Sequence, residues 1–280
     1  MPVLLDSASQ NIAEISASDA TSGSVNQNHT INPLAQAVTV TLFVFLAANV
    51  DTTDATLTAT FGGQEMTMQG DPVRWGSNKN LLAVFTLAAP PTGQQEWEAS
   101  VSGLTANSSG FWLMGACESN SGVLAVGNPV TVSGDTAGAT TENTVTVDSV
   151  APAYKVITAH AITSPNLFSG YNLTTRAAID GTYAYIAYLL SFFGFNFFPY
   201  VADAQGGELL IGDAPGAATV TGTVTQPSTA AWGAIGLPLI PAPVVLAASL
   251  SVSTSISAAL SLQRVASPSP LRTWVIGQSQ

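Results

Sequence analysis

The sequence predicts an all-β fold: an antiparallel, jelly-roll-like β-sandwich with an N-terminal arm and an extended C-terminal β arm. Apolar and polar residues alternate in short runs, which is the pattern of strands with one buried face. Glycine and proline clusters separate the runs at intervals of about a dozen residues, a spacing typical of sandwiches and jelly rolls. Since no amphipathic helical run lies between them, we expect negligible helix.

Three consecutive runs, residues 57–61, 82–87 and 97–101, show the clearest alternation and are predicted to be half-buried strands. Turn residues follow the first run at 62–63 (GG) and the second at 90–93 (PPTG), so the chain is expected to turn at both places. With these registers, five aromatic side chains should be largely buried: Phe61, Phe85, Trp97, Phe111 and Trp112.

Further strands are predicted along the rest of the chain, at residues 38–44, 111–117, 123–126, 144–147, 154–162, 209–213, 218–225 and 231–235. Pro238, Pro241 and Pro243 then follow, and because proline donates no backbone hydrogen bond we expect the ladder to end there. The predicted organisation has three parts. They are an N-terminal arm over 1–28, a sandwich domain over 29–243 and an arm for subunit contacts over 244–280.

The most apolar stretch is 183–201 (YAYIAYLLSFFGFNFFPYV), whose length approaches the roughly 20 residues of a membrane span. Gly194 and Pro199 interrupt it, and its aromatic content favours a buried strand that leads into an aromatic loop. An exposed aromatic loop is the kind of apolar patch that marks a protein contact. The predicted contact residues in this stretch are Phe193, Phe195, Phe197 and Phe198.

The C-terminal residues 246–262 alternate between aliphatic and serine side chains. One apolar parity over so long a run needs an apolar surface to cover it, and Arg272 and Trp274 add residue types enriched at binding hot spots. We therefore predict that this arm contacts other subunits; the alternative is a final strand folded onto its own domain. The predicted contact residues here are Leu250, Val252, Ile256, Leu260, Arg272 and Trp274.

Composition indicates an assembled protein. Charged residues make up only 8% of the chain, hydrophobic residues 46%, and the mean hydropathy is +0.34, so a homo-oligomer with subunit-covered surfaces is expected. The net charge of −11 and the scattered basic residues argue against a nucleic-acid partner. The N-terminal residues lack the pattern of a secretory signal, which predicts synthesis in a cytoplasm.

Catalytic, metal-binding and cofactor-binding residues are not predicted. His29 and His160 have no Cys, Asp or Glu at ligand or triad spacing, so buried or hydrogen-bonded histidines are expected, and Cys117 is expected to be a small buried hydrophobe. A glycan site would need exposed aromatic side chains, although core packing is the alternative for each tryptophan. The tryptophans are Trp75, Trp97, Trp112, Trp232 and Trp274.

Two parts of the chain carry a family resemblance. The runs ATLTATFGGQEMTMQG and NLLAVFTLAAPPTGQQEWEASVSG resemble a β-sandwich module of phage structural proteins, in which a Gly-Gly hairpin precedes a strand and a Pro-Pro-Thr-Gly turn joins the next two. The ending ASLSVSTSISAALSLQRVASPSPLRTWVI is similar to C-terminal segments of virion proteins from actinobacterial phages. It departs from them at residues 277–280 (GQSQ), where those proteins continue with an acidic end.

The resemblance implies a non-enzymatic component of the virion, made in the cytoplasm of a bacterial host. It implies a minor tail protein, associated with a tail tip or fibre, whose partners are other tail or capsid subunits. A capsid decoration protein and a host-glycan-binding module at the virion surface are the alternatives.

Overall fold

The computed structural model describes residues 2–15, 20–48, 50–106, 110–134, 141–148, 151–163, 168–180, 207–226 and 230–243. The chain divides into two compact units, Met1–Pro243 and Val244–Gln280. All described residues belong to the first unit, and the second lies outside them.

The described residues form eighteen strands and no helix. The strands are β1 (Leu4–Ile15), β2 (Gly23–Ile31), β3 (Thr39–Ala48), β4 (Thr56–Phe61), β5 (Gln64–Glu65), β6 (Thr67–Met68), β7 (Val73–Trp75), β8 (Asn80–Ala88), β9 (Gly93–Ser102), β10 (Phe111–Ser121), β11 (Val123–Val126), β12 (Val130–Gly134), β13 (Glu142–Asp148), β14 (Lys155–Ile162), β15 (Thr174–Asp180), β16 (Glu208–Pro215), β17 (Thr219–Thr225) and β18 (Trp232–Pro241). They pair antiparallel in four sheets.

The first ten strands form a jelly roll. Sheet A has the strand order β1-β10-β3-β8-β6, with β7 also paired to β8, and sheet B has the order β2-β9-β4-β5. The chain crosses between the two sheets from β1 to β2, β2 to β3 and β3 to β4, and again from β8 to β9 and β9 to β10. Eight strands remain when the short strands β6 and β7 are set aside. In chain order, the first, eighth, third and sixth of these form sheet A, and the second, seventh, fourth and fifth form sheet B. Two facing four-stranded sheets with these orders are the double-sheet arrangement of a jelly roll.

The remaining strands repeat the same order. Sheet C runs β11-β18-β14-β16-β15, with β12 also paired to β18, and sheet D pairs β13 with β17. In this order β12, β18, β14 and β16 occupy the places of β1, β10, β3 and β8, while β13 and β17 occupy the places of β2 and β9. An antiparallel bridge joins Ser169 to Thr225 of β17. It occupies the place in the second roll that the pairing of β4 with β9 occupies in the first. The described chain is therefore a tandem of two jelly rolls.

The hydrophobic cores show that the sheets stack in the order B, A, C, D. On β3, Leu42 and Val44 pack in the core shared with sheet B, while Phe43 and Phe45 pack in the core shared with sheet C. Two smaller clusters, one that includes Val145 and one that includes Val147, join sheets C and D. Sheet A is covered on both faces, and for this reason all ten residues of β3 are buried.

The predicted fold class is confirmed: the described chain is an all-β antiparallel sandwich of the jelly-roll type. Each predicted strand between residues 38 and 235 overlaps an observed strand, and none begins more than one residue before it. The five aromatic side chains predicted to be buried are 0 to 5% exposed. The prediction that residues 82–87 form a half-buried strand is wrong, because sheet C covers the face of β8 that was expected to meet water.

Two further sequence expectations are corrected. A polar arm was expected over residues 1–28, but β1 lies within this range and β2 begins in it. Strand β1 pairs with β10 from Leu4 to Ile15. The ladder also continues through Pro238, which pairs with Val156 of β14. The Pro238 carbonyl accepts a hydrogen bond from Gly127 N on the opposite side, so its missing N–H faces the junction between β11 and β12, where the pairing is interrupted.

Substitution of Gly115 by valine should destabilise the first jelly roll. A Cβ at this position of β10 would lie 2.5 Å from Cζ3 of Trp97, whose indole fills the space above the glycine. Overpacking of this kind costs about 1–3 kcal/mol in the free energy of unfolding. Urea denaturation measures the loss, and Thr58→Val on the exposed face of β4 is the control. Equal stability of the two variants would contradict the packing described here.

Candidate functional site between the two jelly rolls

Buried charged side chains gather between sheets A and C, at the contact of the two jelly rolls. Glu118 on β10, Lys155 on β14 and Asp213 on β16 are each at most 5% exposed. Arg176 of β15 and Asn120 of β10 complete the group, which we call the inter-roll cluster.

Each residue reaches the cluster because of its place on a strand. Glu118 has the same parity as Trp112 and Met114, whose side chains face sheet C. Lys155 and Asp213 likewise continue the parities of β14 and β16 that face sheet A. Arg176 lies at a register shift between Thr175 and Ala177, and a bulge of this kind turns its side chain toward Asp213.

Asp213 is the centre of the cluster. Arg176 binds the Asp213 carboxylate in a bidentate manner: Nε donates to Oδ2 at 2.8 Å and Nη2 donates to Oδ1 at 2.9 Å. Lys155 Nζ forms an ion pair with Oδ2 of the same carboxylate. Lys155 also donates to Asn120 Oδ1 at 2.6 Å and lies 3.7 Å from Glu118 Oε2. One carboxylate therefore accepts from two cations on neighbouring strands.

Glu118 is the least well satisfied member. Its Oε1 atom is buried and has no hydrogen-bond partner among the residues that the structure describes. Burial raises the pKa of Glu118, and the nearby Lys155 ammonium opposes that rise. A buried network of this kind contributes little net stability but penalises any other arrangement of its partners. The cluster fixes how sheet A meets sheet C.

A second polar group joins sheets A and B around His29. Ser9 Oγ lies 2.8 Å from Nδ1, while Ser7 Oγ and Ser119 Oγ lie 2.8 and 3.0 Å from Nε2. Asp6 Oδ2 accepts from Ser119 Oγ at 3.1 Å. Burial lowers the pKa of His29 to about 4, against the opposing effect of Asp6.

The residue types of this group are those of a Ser-His-Asp triad, but their arrangement is not. In a triad the carboxylate accepts from the ring nitrogen opposite the nucleophile. Here serine hydroxyls face both nitrogens of His29, and the carboxylate contacts a serine instead. The expectation of a buried, hydrogen-bonded histidine is confirmed at this position.

His160 lies between sheets C and D and is fully buried, as expected. Its ring makes an edge contact with Tyr171 at a centroid distance of 5.6 Å. Neither ring nitrogen has a hydrogen-bond partner within the described part of the chain. Burial lowers the pKa of His160 to about 3, so the ring is neutral at pH 7.

An apolar surface groove lies at the start of β1. Pro2, Leu4, Leu34 and Ala35 form its apolar lining, with Gln36, Ser121 and Gly122 beside them. Leu34 is 85% exposed and Leu4 57% exposed. We call this the N-terminal groove.

The residues predicted from sequence as assembly contacts all lie outside the described residues, so these contacts stay predictions. They are Phe193, Phe195, Phe197, Phe198, Leu250, Val252, Ile256, Leu260, Arg272 and Trp274. Of the tryptophans considered for a glycan site, Trp274 also lies outside the described residues. The other four are buried core residues, at most 8% exposed: Trp75, Trp97, Trp112 and Trp232.

Sequence reasoning missed the inter-roll cluster, because it treated Lys155 and Arg176 as scattered cations. A signal was present: Lys155 and Asp213 each extend an apolar parity by one step, which places a charge on an inward face. In the described ranges, His, Cys, Asp and Glu side chains form no group of three that could hold a metal ion. The same ranges contain no helix that is long and apolar enough to span a membrane.

The strand orders define the described chain as a tandem jelly-roll protein. No protein-family model matches it, and no curated protein matches it. Among solved structures it is similar to that of the infectious bursal disease virus Gx strain, with 10% identity and a TM-score of 0.23, over 86% of this chain and 40% of that chain. This chain thus spans less than half of that viral protein.

Two further similar structures are covered almost completely. The MCP of STIV (Sulfolobus turreted icosahedral virus) shows 9% identity and a TM-score of 0.22, over 86% of this chain and 99% of that chain. The major capsid protein of bacteriophage PM2 shows 8% identity and a TM-score of 0.21, over 82% and 97%. TM-scores this low do not define a shared fold, and the function proposed below rests on this chain's own topology and side chains.

Substitution of Lys155 by methionine should strongly destabilise the described unit. The change leaves Asp213 and Glu118 buried with one cation fewer, and breaking a buried charge network in this way costs about 3–5 kcal/mol. The exposed Lys79 gives a matched control, since Lys79→Met should change the free energy of unfolding by less than about 0.5 kcal/mol. Urea unfolding of both variants is the measurement. A loss for Lys155→Met no greater than that for Lys79→Met would contradict the role assigned to the cluster.

Acid should destabilise the protein through His160. Since its pKa falls from 6.5 to about 3 on folding, the unfolded chain binds this proton more tightly. The contribution of His160 is fully present above pH 6.5 and is lost progressively as the pH falls toward 3.

Chemical denaturation between pH 6 and pH 4 tests this effect. The wild type should lose stability more steeply than His160→Leu, by on the order of 1 kcal/mol per pH unit. Glu208, whose pKa burial raises to about 7, has the opposite sign but is present in both proteins and so cancels in the comparison. Parallel pH profiles would show that His160 is not the titrating group.

Proposed function

We propose that this chain is a structural subunit of a virus particle. The observation that carries the proposal is the tandem jelly roll, in which two copies of one strand order share a buried interface. Jelly rolls serve as viral capsid domains, lectin domains and cupins, so the fold narrows the function to a few classes. The described side chains support one of these classes over the others.

The described side chains favour the structural class over the other two. The described ranges contain no group of three side chains that could hold a metal ion, so they give no support to a metal-dependent enzyme. Lectin sites present aromatic side chains, whereas the four described tryptophans are core residues. The buried polar groups around Lys155 and His29 join sheets instead of opening to solvent.

Within the particle we favour the shell, because the jelly roll is a recurrent fold of capsid domains. The minor tail position, which the sequence resemblance at residues 55–70 and 80–103 suggests, is the second candidate. In either place the partners are other virion subunits and further copies of this chain. Nucleic acid is disfavoured as a partner, because Lys155 and Arg176 are already paired with Asp213.

Quantitative mass spectrometry of particles purified from the producing host tests the proposal. A shell subunit should be present at hundreds of copies per particle, and a minor tail subunit at a few. Immunogold labelling with antibodies to residues 1–243 should place it on the head or the tail accordingly. Absence of the chain from purified particles would refute a virion role, and a glycan or enzyme function would then need to be sought.

A further inference from the structure

We propose that the N-terminal groove binds the C-terminal segment, residues 244–280, of a second copy of this chain. The inference rests on the proposed function, since it describes how one assembled subunit would hold the next. No other part of the described chain covers this groove.

The groove is an unusual part of the described surface. Leu4, Leu34 and Leu124 are the large hydrophobic side chains that stand exposed among the described residues. Two of them line the groove, and the third lies two residues beyond Gly122, which also lines it. Moving a leucine side chain out of water is favourable, so covering this patch provides a driving force for docking.

Leu34 lies in a turn, residues 32–35, that is held in place by hydrogen bonds. Asn32 accepts through its carbonyl from Ala35 N (3.0 Å) and through Oδ1 from Leu34 N (2.9 Å). Asp6 Oδ2 in turn accepts from Asn32 N at 3.0 Å. Gln36 O accepts from Gly122 N at 2.9 Å. The turn therefore presents Leu34 in a fixed position, which lowers the entropy cost of binding a partner.

The C-terminal segment has the complementary chemistry. Between residues 246 and 262 its leucine, valine and isoleucine residues share one parity, as at Leu250 and Val252, so that an extended segment would have an apolar side to cover. It also carries Arg264 and Arg272 with no acidic residue. Asp6, next to the groove, is an anion that such a segment can meet.

Charge favours exchange between copies. All 17 acidic residues and four of the six basic ones precede residue 244, which gives residues 1–243 a net charge of −13 and the segment a charge of +2. Neighbouring copies repel through their acidic parts, and the segment is the part of the chain whose net charge attracts a neighbour. The segment of the same chain is the competing occupant, and the experiment must separate the two.

Isotope-mixed photo-crosslinking of the full chain makes that separation. A photoreactive phenylalanine analogue replaces Leu34, and equal amounts of ¹⁴N- and ¹⁵N-labelled protein are mixed, irradiated and digested for mass spectrometry. We expect crosslinks from position 34 to peptides of residues 244–280 that join light and heavy chains. The analogue at Thr58, on the exposed face of β4, is the matched control and should not crosslink to that segment.

Each other outcome overturns the proposal. Crosslinks to residues 244–280 that join only peptides of the same label, with no mixed-label product, would place the occupant in the same chain. Mixed-label crosslinks to other peptides would identify a different partner surface, and the absence of crosslinks would show that the groove is unoccupied. As a second measurement, Leu34→Asp should weaken self-association about tenfold in sedimentation experiments, whereas Thr58→Asp should not.

The purified protein is used throughout, so the result is independent of particle location. Mixed-label crosslinks from a chain absent from particles would retain the docking and reject the virion role. A chain abundant in particles without these crosslinks would retain the virion role and reject the docking.

Discussion

The need to cover both faces of sheet A governs the architecture. On β3 one parity carries Val40, Leu42 and Val44, and the other carries Phe43 and Phe45, so neither face can be left to water. Sheet B covers the first face and sheet C the second. The second jelly roll is therefore part of the hydrophobic core of the first. The two rolls are not independent domains, because the core between sheets A and C contains residues of both.

Tryptophan and glycine achieve close contact at both faces of sheet A. Trp97 of sheet B lies over Gly115 of β10, and Trp75 of sheet A lies over Gly233 of β18. In each pair the glycine has no Cβ, so a large ring can approach the facing backbone closely. The layer is therefore tightly packed. The inter-roll cluster lies in the same A–C layer and supplies direction, since apolar contacts alone tolerate sliding and a buried ion pair does not.

Period-two alternation and turn residues were sufficient to predict most strands, because a buried face leaves its mark on every second residue. They failed where pairing, not burial, makes the strand. In β2 only a few side chains, such as Val25 and Ile31, face inward. Because most of its residues are polar, the sequence alone predicts an arm, and the strand is recognised only from its pairing with β9. The prediction that the ladder ends at Pro238 failed for a related reason. A proline interrupts pairing only on the side that its nitrogen faces, and that side is not known from the sequence.

The cluster and the tandem repeat needed the tertiary structure. The charge on Lys155 is visible in the sequence, but its partner Asp213 lies on another strand and Glu118 on another sheet. The repeat is one of strand order, for which the two halves need no common residues. The predicted assembly contacts, from Phe193 to Trp274, lie outside the described residues and remain predictions about surfaces rather than about the fold.

The pairing of β1 with β10 has a consequence for the order in which the chain folds during synthesis. Residue 4 pairs with residue 121, so sheet A cannot close until the whole first jelly roll has been made. Its aromatic face, with Phe43, Phe45 and Trp112, must then wait for strands that end near residue 241. At typical translation rates this delay is roughly ten seconds. A nascent chain with an uncovered aromatic sheet for that long is a natural client for chaperones, and its yield should depend on them.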